Sequence, residues 1–210
     1  DGYRITIGAL TTQHELSASE ALTKAAPLIR EASLQIADPQ VRYLGTIGGN
    51  VANGDPANDM PGLMQTLDAT YHLTGPEGSR KVKARDFYEA AYFTAREDEE
   101  ILTAISFAKP TGGFAYEKQK RKIGDYATAA AGVMITIEGG KCTAASVALT
   151  NLSDTPVYCA DAVDALVGSS LDDATIKAAV IAAVDASDPV ADTRGPVDFK
   201  KHVAGVIVKK

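Results

Sequence analysis

The stretch best suited to chemistry is Gly45-Thr46-Ile47-Gly48-Gly49-Asn50-Val51-Ala52-Asn53-Gly54-Asp55-Pro56-Ala57-Asn58-Asp59-Met60-Pro61. Consecutive glycines carry no Cβ and tolerate positive φ, so their N–H groups can converge on an anionic group without obstruction. Thr46 and Asn50 flank the pair with polar side chains, and Asp59 offers a carboxylate to a ribose or ribityl hydroxyl. Each feature has a plainer alternative. The glycines can serve a tight turn alone, and Asp59 can cap a helix running from Pro61 to Leu67. The pattern is neither a GxGxxG nor a Walker loop: no Lys-Ser/Thr follows the glycines, and no acidic residue stands at dinucleotide spacing.

A second feature is Lys118-Gln119-Lys120-Arg121-Lys122, strong local charge on an acidic chain. It reads either as a solvated strand edge or as a dock for an acidic partner surface or a cofactor phosphate. Tyr116 and Tyr126 are its aromatic neighbours for a flat cofactor ring. Other chemistries fall away. His14, His72 and His202 are scattered without metal-ligand spacing, and no GxSxG elbow occurs. Glu99-Glu100 and Asp172-Asp173 sit in charged, surface-like contexts. An iron–sulfur cluster normally takes four thiolates. With only Cys142 and Cys159, both expected to be reduced thiols, any cluster belongs on another chain.

These residues need a scaffold, and 210 residues at 45% hydrophobic content can build one. A net charge of −6 leaves no broad basic surface, so nucleic acid is not an expected partner. The longest apolar run, Ala127 to Ile137, falls short of the roughly 20 residues that cross a bilayer, and no signal peptide is visible. A cytoplasmic protein is expected. The chain opens without Met and runs straight into the alternating strand Tyr3–Ile7, which reads as a start inside a domain.

Thr12 and Glu15 have capping-box spacing, and short helices follow to about Ile36, broken at Pro27. The glycine-rich stretch is too rich in turn formers to be a regular element throughout, and a compact helix from Gly62 to Leu67 and a strand from Thr70 to Thr74 are expected after it. Glu99 to Phe107 alternates as a strand, and Lys109-Pro110-Thr111-Gly112-Gly113 reads as the boundary between residues 1–109 and 110–210. Strands over Phe114–Lys120, Ala129–Glu138 and Cys142–Leu149 follow, the last two joined by a hairpin at Gly139-Gly140. Helices are expected over Ala160–Val167 and Asp172–Ala186, the latter capped by Asp172 or Asp173. Strands followed by helices give an α+β order.

Three segments, in order and separation, carry a family resemblance: Ile7-Gly8-Ala9-Leu10-Thr11-Thr12; Thr46 to Ala52 with Asp55 to Pro61; and Lys120 to Ala129. They resemble the FAD subunits of the xanthine dehydrogenase and carbon monoxide dehydrogenase family of molybdenum hydroxylases. The third segment, continued through Thr150-Asn151-Leu152 to Arg194-Gly195-Pro196, is most similar to the carbon monoxide dehydrogenase branch. The resemblance implies the second lobe of a two-lobed FAD-binding domain (PCMH-type) over 1–109. A small C-terminal α+β domain with an antiparallel sheet and helices would follow over 110–210. The family's first lobe, with its own Gly-Gly-x-Ser-Leu loop, is not found in these residues, so this chain is expected to supply half of the flavin site.

By the same resemblance Thr46, Ile47, Gly48, Gly49 and Asn50 form a flavin-nucleotide loop and Asp59 is an acidic ligand of FAD. Leu102 packs near the adenine or flavin, and Lys118 and Ala37 lie near the cofactor. No catalytic or metal-ligating residue is implied on this chain. The implied function is relay: electrons from [2Fe–2S] clusters of a small partner subunit pass through FAD to an external acceptor such as quinone. Substrate oxidation belongs to the molybdenum cofactor of a large subunit, in a dimer of such heterotrimers. A quinone or membrane-associated acceptor would put the complex at the inner face of the cytoplasmic membrane. The alternatives are a medium subunit for an aldehyde or N-heterocycle hydroxylase, and a flavin-free assembly or interaction module.

Overall fold

The computed structural model describes residues 4–210, so Tyr3 of the expected first strand lies outside the described residues. β1 (Arg4–Gly8) leads into α1 (Gln13–Ala18), whose N-terminus carries the expected capping box. The Thr12 hydroxyl accepts from the Glu15 amide at 3.2 Å, and the Glu15 carboxylate accepts from the Thr12 amide at 2.7 Å. Pro27 divides the next helical stretch into α2 (Glu20–Ala25) and α3 (Pro27–Ser33) by occupying the first position of α3, where the missing N–H costs nothing. α4 (Pro39–Leu44) is capped by Asp38.

The glycine-rich stretch is not one regular element throughout, as expected. Its centre is a short helix, α5 (Ile47–Ala52), and the following helix, α6 (Asp59–Thr66), starts before the expected Gly62. β2 (Thr70–Gly75) and β3 (Gly78–Lys83) form a hairpin, then β4 (Tyr88–Ala90) and β5 (Phe93–Thr94) a small one, and β6 (Ile101–Ala108) returns to the main sheet. That sheet is antiparallel with order β1-β6-β2-β3. Alternation turns Ile7, Tyr71, Leu73, Ile105 and Phe107 onto the helices while Arg4 and Lys81 face out.

The later residues form β7 (Gly113–Gln119), β8 (Ala129–Glu138), β9 (Lys141–Thr150) and β10 (Val157–Tyr158), in the antiparallel order β10-β9-β8-β7. Gly139 and Gly140 join β8 to β9 with φ of 58° and 77°, the signs of a two-residue primed turn. α7 (Ala160–Leu166), α8 (Asp173–Asp185) and α9 (Val197–Lys209) complete the chain. Asp172 caps α8 by accepting from the Thr175 amide at 2.9 Å. β3, α4, α5 and α9 were not expected from the sequence. The fold is α+β with antiparallel sheets, as expected.

α6 holds the molecule together. All its residues are buried, because it lies between the two halves. A Cβ on Gly62 would fall 2.1 Å from the Thr150 hydroxyl, and one on Gly132 would fall 2.5 Å from the Thr66 hydroxyl, so the approach of α6 to the second sheet needs both glycines. Ser146 donates to the Thr66 carbonyl at 2.7 Å across the same contact. The first core therefore runs on past residue 110 and includes Tyr116, Ala127 and Ala130. The opposite face of the second sheet buries Ala131, Val147 and Leu149 against Ala162, Ala179, Ala183 and Ala204 of α7 to α9.

Candidate functional site

The first turn of an α-helix leaves orphan amides, and the rest of the chain satisfies those of α5. Ile47 donates to the Thr11 carbonyl at 2.9 Å, Gly48 to the Ala9 carbonyl at 2.8 Å, and Gly49 to the Thr46 hydroxyl at 3.0 Å. The expectation that these amides converge on an anion is thereby corrected: they are spent on the β1–α1 connection and the cap. The two glycines do different work. A Cβ on Gly48 would fall 2.5 Å from the Ala9 Cβ and 2.6 Å from its carbonyl oxygen, so Gly48 is a packing residue. Gly49 is exposed, and its Cβ would meet only the Thr46 hydroxyl, at 3.1 Å. It leaves bare backbone open to a ligand. The Ile47 side chain is fully buried.

Asn50 reaches across to the next helix: its carboxamide oxygen accepts from the Met60 amide at 3.2 Å, and its carbonyl accepts from the Asn58 side chain at 2.9 Å. Asp59 follows as the first residue of α6, and its carboxylate makes no cap hydrogen bond, which overturns the capping alternative. Both oxygens point into β7 instead. The Tyr116 hydroxyl donates to Oδ1, and the Lys118 ammonium donates to Oδ2 at 2.8 Å and to the Gln35 carbonyl at 3.3 Å. The Lys118 and Asp59 side chains are 1% and 5% exposed. Burial pushes the Asp59 carboxyl above its ordinary value, against the opposing pull of Lys118 and Tyr116.

This geometry corrects two further expectations. Lys118 is not part of a solvated edge and does not face a phosphate, because its stem follows the inward side of β7 to a buried partner. Tyr116 is buried and spent on Asp59, so it is not an aromatic neighbour of an exposed ring. The remaining cations are tied locally: Lys120 lies 3.5 Å from the Gln35 side-chain oxygen, and Arg121 pairs with Asp125 at 3.0 Å. Lys122 stays exposed.

The loop after β7 turns through Gly124, whose φ is +81° and whose Cβ would fall 3.1 Å from the Ala37 carbonyl carbon. Ala37 is itself left-handed, at φ 45°, held by Arg42, which donates to the Ile36 and Ala37 carbonyls at 2.9 and 3.0 Å. Such strain persists where the surroundings enforce it, and it clusters at ligand sites. The structure thus joins Ala37 to the loop bearing Tyr126, which is 48% exposed. Near Tyr126 stands Tyr92, also exposed and at φ 64°, whose amide donates to the Gly54 carbonyl at 2.8 Å. The charge of Asp55, and then partial burial, hold its phenol above the ordinary value. Leu102, half-buried on β6, adjoins Thr103, whose carbonyl accepts from the Ala9 amide at 2.9 Å beside α5.

Sequence reasoning missed Tyr92, Gln35 and Arg42. No spacing marks them, since they arrive by tertiary approach. Leu10, Tyr43, Leu44, Tyr92, Ile123 and Tyr126 are exposed apolar or aromatic side chains, the kind on which a flavin ring could pack, and Gly49 adds bare exposed backbone. Among the described residues no acidic, histidine or cysteine cluster could hold a metal ion.

Comparison with known proteins points to the same cofactor. Residues 1–110 match the family described as FAD binding domain in molybdopterin dehydrogenase, and residues 114–210 match the CO dehydrogenase flavoprotein C-terminal domain. The chain is 56% identical to the carbon monoxide dehydrogenase medium chain of Afipia carboxidovorans, over all of this chain and 74% of that one. It is 39% identical to the medium chain from Hydrogenophaga pseudoflava, again over 100% and 74% of the two chains. A solved structure of reconstituted CO dehydrogenase from Oligotropha carboxidovorans superposes with a TM-score of 0.97 at 55% identity, covering 100% of this chain and 74% of that one.

Proposed function

Because this chain belongs to the family of FAD-binding flavoproteins of molybdopterin dehydrogenases, we propose that it is the electron-relay subunit of an aerobic carbon monoxide dehydrogenase. The observation that supports this most directly is the bare, exposed backbone of Gly49 in the first turn of a helix whose leading amides, its own included, are already satisfied. It admits a cofactor without competing for the hydrogen bonds that hold the fold. FAD, when bound, accepts and returns electrons singly or in pairs.

This chain's own residues position and shield. Thr46 caps α5, Asn50 fixes α5 against α6, and the Tyr116–Asp59–Lys118 cluster fixes α6 against β7, so the start of α5 and the Tyr126 loop keep a constant separation. Thr46, Ile47, Gly48, Gly49, Asn50 and Tyr126 would line the cofactor's approach, with Ala37, Leu102, Asp59 and Lys118 behind them. The division into a flavin-binding unit over 1–109 and a C-terminal unit over 110–210 belongs to the same proposal. No residue need move a proton.

Electrons would come from the iron–sulfur clusters of a small partner subunit, after substrate oxidation at the molybdenum cofactor of a large one. They would leave to quinone or another external acceptor. No helix among the described residues is long and apolar enough to cross a membrane, so docking at a membrane-bound acceptor would be peripheral. The test is to isolate the chain with its partner subunits, measure visible flavin absorbance per chain, and add carbon monoxide. Stoichiometric flavin that bleaches under carbon monoxide is expected. Stoichiometric flavin that bleaches only with an aldehyde or N-heterocycle would reassign the substrate, and absence of flavin would leave an assembly module.

A further inference from the structure

The segment Arg194-Gly195-Pro196 plays no part in the site as described, yet the structure ties it to the Tyr126 loop. The tie begins on α9. Lys200, its side chain 1% exposed, pairs with the Asp192 carboxylate at 2.9 Å. The other oxygen of that carboxylate accepts from the Arg194 amide at 2.8 Å, and Asp192 and Gly195 exchange backbone hydrogen bonds at 3.2 and 3.1 Å. Gly195 is at φ +152°, and a Cβ there would fall 2.6 Å from the Phe199 ring, so this turn lies flat on α9. Arg194 thus leaves a fixed base.

From that base the guanidinium reaches Asp125 at 3.7 Å, with its carbon 5.6 Å from the centre of the Tyr126 ring. Its Nε is buried without a hydrogen-bond partner among the described residues. Arg121 reinforces the link from the loop side, pairing with Asp125 at 3.0 Å and donating to the Thr193 carbonyl at 3.4 Å. An exposed ion pair contributes little, but the Asp125 and Arg194 side chains are only 9% and 19% exposed. A guanidinium can hold a carboxylate and cover an aromatic face at once, which an ammonium cannot.

We infer that Arg194 is a positioning residue: by gripping Asp125 and the face of Tyr126 it fixes the loop of residues 120–126 on Ala37, and so holds the aromatic wall of the flavin site. The inference rests on the flavin reading given above. It connects the C-terminal helix to cofactor retention across a distance no single contact spans.

The test compares wild type, Arg194→Lys and Asp125→Asn as holoprotein with partner subunits. Two quantities are followed: amide hydrogen exchange over residues 121–127, and the rate of flavin release into excess apo-acceptor. Both variants should exchange faster in that loop while the β8–β9 amides exchange as in wild type. Flavin should leave about tenfold faster once the partly buried ion pair is lost. The double variant should be no worse than Asp125→Asn alone, because removal of the Asp125 charge already ends its pairs with both Arg194 and Arg121. Unchanged loop exchange in both variants overturns the inference, and faster exchange with wild-type flavin release overturns its connection to the cofactor. Wild-type protein without flavin would instead refute the functional reading, and the exchange measurement would then decide by itself whether Arg194 holds the loop.

Discussion

Replacing Lys118 by Met tests the central contact of the molecule. The substitution keeps the length and apolar stem of the side chain and removes only the ammonium, leaving Asp59 buried with the Tyr116 hydroxyl as its remaining partner. Removing one member of a buried ion pair costs about 3–5 kcal/mol, because the other charge is left uncompensated. At roughly 2–4 °C per kcal/mol for a chain of this size, the thermal midpoint should fall by about 6–20 °C. Asp59 has a partial escape. Burial already pushes its carboxyl above the ordinary value, and without Lys118 it can take up a proton. The sign follows: with its folded pKa above the unfolded one, the variant is most stable below the ordinary carboxylate range and loses stability as pH rises through the elevated value. Urea unfolding of the flavin-free protein at several pH values measures this, and wild type should lack the added loss at high pH. Asp59→Asn, which strands Lys118, should also be destabilised, whereas the double substitution should recover part of the loss. A cost below about 1 kcal/mol with no added pH slope would refute the buried pair. It would return Asp59 to the role of a cofactor ligand alone.

Four further outcomes are expected. Gly48→Ala should destabilise the protein by about 1–3 kcal/mol, because its Cβ lands against Ala9; Gly49→Val should leave flavin-free stability nearly unchanged but lower flavin content, as absorbance per chain will show. Arg80 beside Glu100 holds the Glu100 carboxyl down at about 2, so its stabilising effect is present above the ordinary value of 4.5 and lost as pH falls toward 2; Glu100→Gln should flatten the melting temperature across that window. Burial pushes the Cys159 thiol up to about 12, so it should resist thiol reagents at mild alkaline pH in the folded protein and react only on unfolding.

The sequence by itself determined whatever depends on neighbours in the chain. Thr12 and Glu15 cap α1, Pro27 starts α3, Gly139-Gly140 turn β8 into β9, and Asp172 caps α8, each through atoms a few residues apart. Alternation and turn signals likewise marked the longer strands, and three motifs in order marked the family. Tertiary structure decided the rest, because the deciding partners are remote. α5 is a helix despite two glycines because Thr11 and Ala9 accept its first amides, and Gly48 is needed because Ala9 lies against it. Asp59 faces Lys118 and Tyr116 across 59 and 57 residues, a pairing no local pattern contains. The sequence could place Lys118 in a run of cations but could not say that β7 turns this one inward while Lys122 stays in water. Two positions in the same charged run thus carry opposite physics, because burial is a property of the packed core and not of the chain.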